Sequence, residues 1–343
     1  MTQTVLVTGA SGFVASWTLL KLLQQGYEVR GTVRTSKKGD LVRSELTDRI
    51  GADLTQHLTF YEAELTDSKG WDAAMAGVDT VLHIASPLGA DNPNDEAAMI
   101  RPAVDGVNNV FQAATDAHVS RIIMTSSLAA ATPPSQDSNP IVDEHYWSSR
   151  DNPELNAYRK SKLLAESAAW NFVAHHEDAP ALTTILPGAI FGPAMTKRNT
   201  GSDQFIAQLM NNRIGNPPIG FEIVDVRDLA DLHIAAMQSD QAKGQRYVAA
   251  NDYLTATEIS RILKTDLGSA CPHVSLRTIP GGVLKLGARF IAPLRALTPM
   301  IGRQFRYTHK KAVDQLDWHP RSGRQTVDDT AKSLLKLGVF QKS

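Results

Sequence analysis

A single cysteine, Cys271, stands in 343 residues, so no intramolecular disulfide can form and the fold rests on its core. Net charge is nearly absent as well. Thirty-five Lys and Arg oppose 36 Asp and Glu, a formal charge of -1, which removes the global field that would draw the chain to nucleic acid or an anionic membrane. Long apolar runs are also missing: the best candidate, Val283 to Arg306, is broken by arginines and prolines far short of the roughly 20 residues a spanning helix needs. It reads as part of a substrate lobe. The N-terminus reads as a strand, without the charged and apolar regions of a signal peptide, so a cytoplasmic protein is expected. No internal repeat and no long low-complexity linker is visible.

What the chain does have is 42% hydrophobic residues, enough for a real core and a length beyond one compact domain. Two lobes are expected. "TVLVTG" reads as a buried strand, followed by a helical stretch with Phe13, Trp17 and Leu20 at spacings of four and three that stops at Gly26. Strand-like runs recur at "LTFYEAEL", "DTVLHIAS", "SRIIMTSS" and "LTTILPG", with helical stretches between them at Asp95 to Ala117 and Pro153 to His175. This alternation predicts an α/β fold with a parallel sheet covered by helices on both faces. After Pro187 the text turns rich in Gly and Pro, the border of a second lobe. "EIVDVRDLADLHIAAM" and "GQRYVAA" then return to strand and helix patterns that rejoin the main sheet. The expected division is 1–186 with 220–250 for the cofactor, and 187–219 with 251–343 for the substrate.

The first strand-to-helix turn is "VTGASGFVAS", with Gly9, Gly12 and Ala15 at steps of three. Such a loop lets backbone approach a pyrophosphate, and the helix N-terminus offers N–H groups and a positive dipole to it. The plainer alternative is a tight turn without a ligand. About 20 residues on, where a NAD-binding fold places an Asp or Glu on the ribose hydroxyls, stands Arg34, with Lys37 and Lys38 before the next acid, Asp40. Cations at that place suit a 2'-phosphate, hence NADPH, with Arg34 forking to it and Lys38 adding a point charge. The alternative is a solvated charged loop.

"NAYRKSK" puts Tyr158 and Lys162 four apart on one helix face, and the strand "SRIIMTSS" ends in Ser126 and Ser127. A phenol of pKa about 10 is a poor acid near neutrality until an ammonium stabilises its anion. Tyr158 as acid, Lys162 beside it and Ser127 holding a carbonyl oxygen therefore suit hydride transfer at a carbonyl. Alone, the Tyr and Lys pair describes any helix with one aromatic toward the core and one lysine in water. No metal is expected: His83 has no second ligand at a suitable spacing, His175 and His176 end a helix, and Cys271 lacks a histidine pattern that would make it a nucleophile.

"VTGASGFVAS", "RGTVR", "VLHIASP", "MTSS", "YRKSKLLAE", "LPGAIFGP", "VDVRDLADLH" and "LDWHPR" together resemble the extended short-chain dehydrogenases/reductases over nearly the whole chain. Within them the sequence is most similar to the dihydroflavonol reductase, cinnamoyl-CoA reductase and NADPH-dependent aldehyde or methylglyoxal reductase branch. The resemblance implies a Rossmann-type doubly wound parallel sheet with a smaller mixed α/β substrate-binding lobe, and Ser127, Tyr158 and Lys162 as catalytic triad. It implies that Gly9, Ser11, Gly12, Phe13 and Val14 line the pyrophosphate loop and that Arg34 and Lys38 read NADPH. Glu64 and Leu65 would border the adenine, Ile84, Ala85, Ser86 and Thr125 the ribose, and Pro187, Gly188 and Ile190 the nicotinamide. Glu64 stands where the family often has Asp, and the apolar "LAAATPPS" speaks against a flavonoid. Leu88, Leu128, Ala189 and Met195 are expected in the pocket, suggesting a hydrophobic carbonyl compound of modest size. The other readings of these residues are a NAD-dependent nucleotide-sugar epimerase or dehydratase and a non-catalytic cofactor sensor. A monomer or homodimer fits the group.

Overall fold

The computed structural model describes residues 3–87, 95–134, 141–289, 300–302 and 306–339. In chain order the strands are β1 (Thr4–Val7), β2 (Glu28–Val33), β3 (Leu58–Glu62), β4 (Thr80–His83), β5 (Arg121–Thr125) and β6 (Ile141–Val142). They continue with β7 (Ala181–Pro187), β8 (Ala189–Phe191), β9 (Gly220–Asp225), β10 (Gln245–Ala249), β11 (Asp252–Thr255) and β12 (Arg306–Tyr307). Helices are α1 (Phe13–Gln24), α2 (Ser36–Ile50), α3 (Ala52–Thr55), α4 (Trp71–Met75), α5 (Glu96–Asp116), α6 (Ala157–His175), α7 (Asp203–Met210), α8 (Val226–Gln238), α9 (Ala256–Leu267) and α10 (Gly281–Gly287). Two more, Lys310–Leu316 and Gly323–Leu337, follow.

Seven strands form one sheet in the order β10-β7-β5-β4-β1-β2-β3, and every neighbouring pair is parallel. The central strands are buried along nearly their whole length, "VLV", "IIM" and "LTTIL", because helices cover both faces and leave no solvent side to alternate toward. One face packs against α1 and α8 through Leu19, Leu22, Leu229 and Leu232. The other packs against α4, α5 and α6, where Phe111 and Phe172 meet edge to face at 5.7 Å. Each large side chain buried there contributes on the order of 2 kcal/mol. Helix α5 starts where Asp95 accepts the Ala98 amide at 3.0 Å, and α6 where Asn156 accepts the Arg159 amide at 2.9 Å, so both begin on side-chain caps.

A second sheet, β11-β9-β8, and a two-stranded pair, β12-β6, lie beyond the main one. The segment "GFEIVD", expected in the main sheet, forms β9 in the small sheet instead; β8 pairs with it in parallel and β11 antiparallel. The chain then returns through α8 on α1 to β10 at the edge of the main sheet. A strand pattern tells that a segment pairs, and the partner is decided by tertiary packing. Of the run Val283 to Arg306, residues 290–299 and 303–305 lie outside the described residues. Among the described residues no helix is long and apolar enough to cross a membrane.

Candidate active site

The carboxyl ends of β1, β2, β4, β5 and β7 open into one cleft of about 870 Å³. At β1 the chain turns through Gly9, whose φ of +67° is strained for any side chain and whose added Cβ would lie 2.9 Å from the Ala85 Cβ. Gly12 opens α1; a Cβ there would lie 3.1 Å from the Gly9 carbonyl oxygen. No side chain caps this helix and no acid stands in its first turn, so its positive end faces the cleft. A cradle closed to side chains at two points and open at a helix N-terminus fits a pyrophosphate.

Just past β2, the Arg34 guanidinium lies largely in solvent, its Nε 3.9 Å from Glu64 Oε1. Lys38, in the first turn of α2, lines the same end of the cleft. Between them the Ser36 amide donates to Glu62 Oε1 at 2.5 Å. Two cations and a helix N-terminus meet there, with Glu62 and Glu64 as the opposing charges.

At the far end of β5, Ser126 and Ser127 point different ways. Ser126 Oγ donates to Glu166 Oε2 at 2.6 Å, and fully buried Glu166 also accepts from Thr184 Oγ1 at 2.6 Å and Arg246 Nε at 2.9 Å. Ser127 lines the cleft, where its Oγ accepts the Ala129 amide at 3.1 Å. Thr125 bonds His233 Nε2 at 2.7 Å while His233 Nδ1 faces the Leu229 carbonyl at 2.7 Å. A carbonyl only accepts, so Nδ1 carries the proton and the Thr125 hydroxyl donates to Nε2; burial, which lowers the His233 pKa to about 4, keeps the ring neutral.

Tyr158 and Lys162 face this point from α6. The tyrosine is 39% exposed because it borders the open cleft, and the protein crowding its hydroxyl still pushes its pKa up, against the Arg159 charge. Lys162 is 8% exposed, and burial lowers its pKa to about 8. His83 is buried, bonded through Nδ1 to Thr8 Oγ1 at 3.0 Å, and its pKa falls to about 4 through burial and then the Lys162 charge. It is a packed core residue. No group of three His, Cys, Asp or Glu that could hold a metal ion occurs among the described residues.

The cleft gathers nearly every site residue expected from the sequence: Gly9, Ser11, Gly12, Phe13, Val14, Arg34, Lys38, Glu64, Leu65, Ile84, Ala85, Ser86, Thr125, Ser127, Leu128, Tyr158, Lys162, Pro187, Gly188, Ala189 and Ile190. Met195 is the exception. It is 5% exposed, packed in the core beside α1, and its carbonyl accepts from Arg49 at 2.7 Å, so it does not line the pocket. Leu88 lies outside the described residues. The wall beyond Tyr158 adds Thr132, Arg159, Phe221, Glu222, Tyr253, Met300 and Tyr307, which sequence reasoning missed. The signal available was Glu222, an acid between Phe221 and Ile223 in the strand "GFEIVD".

The family pattern described as NAD dependent epimerase/dehydratase matches residues 5–250, a span that takes in the seven strands of the large sheet except Thr4. Cinnamoyl-CoA reductase 1 of Petunia hybrida is 36% identical over 265 residues, 76% of each chain. The putative NADPH-dependent methylglyoxal reductase GRP2 of Candida albicans is 32% identical over 289 residues, 77% of this chain and 82% of its own. Among solved structures, the yeast methylglyoxal/isovaleraldehyde reductase Gre2 complexed with NADPH superimposes with a TM-score of 0.82 at 25% identity, covering 99% of this chain and 100% of that one.

Proposed function

Because the chain belongs to the NAD dependent epimerase/dehydratase family, in its extended short-chain dehydrogenase/reductase form, we propose that it is an NADPH-dependent carbonyl reductase, turning aldehydes or prochiral ketones into alcohols. The carrying observation is that one cleft holds Arg34 and Lys38 at one end and Ser127, Tyr158 and Lys162 at the other. Relatives named for NADPH and for reductase activity add weight.

Gly9, Gly12 and the α1 N-terminus hold the pyrophosphate, Arg34 and Lys38 the 2'-phosphate. NADPH, when bound, supplies a hydride to the carbonyl carbon. The Ser127 hydroxyl donates to the substrate oxygen and fixes its place. As charge builds on that oxygen, the Tyr158 hydroxyl gives up its proton, and the Lys162 ammonium stabilises the phenolate left behind. A solvent proton then restores the tyrosine. Burial works against ionising both side chains, so each charge depends on the other.

Oxidation of NADPH and of NADH is to be followed in parallel with a panel of aldehydes, aromatic ketones and 2-oxoaldehydes. Turnover with NADPH preferred supports the reading. Retention of tightly bound NAD in the purified protein, with no carbonyl consumed, overturns it in favour of an epimerase or dehydratase.

A further inference from the structure

Beyond Tyr158 the cleft is walled by carbon from Leu128, Ala129, Ala189, Phe221 and Met300, with one carboxylate among them, that of Glu222 on β9. Glu222 Oε1 accepts a long hydrogen bond from the Tyr307 amide at 3.3 Å, and no donor among the described residues reaches Oε2. Glu222 is half-buried and lines the cleft. Burial and the nearby charge of Asp252 push its pKa up to about 7, against the Tyr307 amide and the Arg306 charge. Leaving a carboxylate so placed costs free energy that an apolar residue in the same strand would not.

Its position is fixed closely. Gly188 has no room for a side chain, since a Cβ there would lie 2.2 Å from the Glu222 carbonyl oxygen, so the β9 backbone is pressed against the turn after β7. Across the small sheet Glu222 pairs with Tyr253, and Tyr307, whose amide it accepts, approaches Thr132 Oγ1 with its hydroxyl at 3.4 Å. Thr132, Tyr253 and Tyr307 line the cleft too, so the polar atoms of this end form one patch around the acid.

We propose that Glu222 is a specificity-determining residue that accepts a hydrogen bond from a hydroxyl or ammonium group carried at the far end of the substrate. The enzyme thereby selects carbonyl compounds that bear a donor over their apolar isosteres. This rests on the reductase reading above and adds a polar end to the hydrophobic carbonyl compound expected from the sequence. A buried polar group left unpaired by the wrong substrate is what gives such sites their discrimination.

The test uses acetophenones carrying a para-aminomethyl, para-hydroxymethyl or para-ethyl group, which differ little in size. Their turnover with NADPH, and the binding of the corresponding alcohols to the NADP-saturated protein by calorimetry, are measured for wild type, Glu222→Gln and Glu222→Leu. Wild type should favour both donor-bearing ketones about tenfold or more in kcat/KM. Glu222→Leu should bring the ratio near one. Glu222→Gln should keep the hydroxymethyl preference and lose the aminomethyl one, which keeps the test open if the leucine variant fails to fold. Between about pH 8 and about pH 6 the wild-type aminomethyl preference should fall as the carboxylate protonates, and the glutamine variant should show no such slope. The charged and titratable groups packed around it are Asp252 and Tyr253 from β11 and Arg306 and Tyr307 from β12, with Arg159 also lining the cleft. Equal preference in wild type and both variants, or a wild type that favours the ethyl compound, overturns the role of Glu222. Absence of turnover with all three ketones, while the alcohols are still discriminated in binding, would count against aromatic ketones as substrates and leave the role of Glu222 standing.

Discussion

Lys162 holds its ammonium 5.7 Å from the centre of the Tyr158 ring, one turn along the same helix. Both residues line the same cleft as Ser127. Replacing Tyr158 by Phe keeps the ring and removes the proton. Turnover should fall by about a hundredfold or more, with NADPH affinity within about twofold of wild type in a fluorescence titration. Turnover near wild type would remove Tyr158 as the acid.

The Lys162 amine gives the pH dependence its sign. Its pKa is lowered to about 8 by burial, so it is charged below that pH and neutral above it in the free protein. The phenolate that Tyr158 leaves behind needs the charged form. Hence kcat/KM should fall as pH rises through about 8, and a profile rising through that range would contradict the assignment.

Cofactor choice should respond in opposite directions to two changes at the end of β2. Arg34→Ala removes a fork for the 2'-phosphate and should raise KM for NADPH about tenfold while leaving that for NADH within about twofold. Glu62→Gln removes a negative charge from the oxygen that now takes the Ser36 amide, and should lower KM for NADPH several-fold. Equal effects on the two cofactors in both variants would place the phosphate elsewhere.

Asp203, fully buried at the start of α7, has no hydrogen-bond partner at either carboxyl oxygen. Burial pushes its pKa to about 8 and the Asp225 charge adds to this, while the Gly192 amide opposes it. A carboxyl with a folded pKa above its unfolded one stabilises least when ionised, so its contribution is lost as pH rises from about 4 to about 8. Asp203→Asn should then raise the unfolding free energy at pH about 8 by roughly 1–3 kcal/mol and leave it nearly unchanged at pH about 4. Denaturant melts at the two pH values will show it.

The large sheet was legible because its central strands are buried on both faces and so read as short runs rich in apolar residues, with helical periods between. That Gly9, Gly12, Arg34, Tyr158 and Lys162 line one cleft was legible for a related reason, since each belongs to a short local motif, a turn, a strand end or one face of a helix. The wall beyond them was not, since Glu222, Tyr253 and Tyr307 come from β9, β11 and β12 and meet only when three separate pairings form. Met195 went astray by the same logic: it follows Pro187 to Ile190 closely in sequence, but its side chain packs in the core beside α1.

The chain quits the large sheet after β7, lends β9 to the small one, and comes back for β10, after which Trp318 donates to the Asp228 carbonyl at 2.8 Å and Arg321 grips the Asp228 carboxylate at 2.6 Å. While the polypeptide is being synthesised, β7 is therefore a bare edge until Gln245–Ala249 emerges, and α8 lacks its last anchors until residues near the end have left the ribosome. The chain passes between the two sheets three times, after β7, after β9 and after β10. A hybrid with a relative has to exchange the wall of the pocket, β8 and β9 with β11 and β12, as a discontinuous part, leaving α8 and β10 with the sheet they complete.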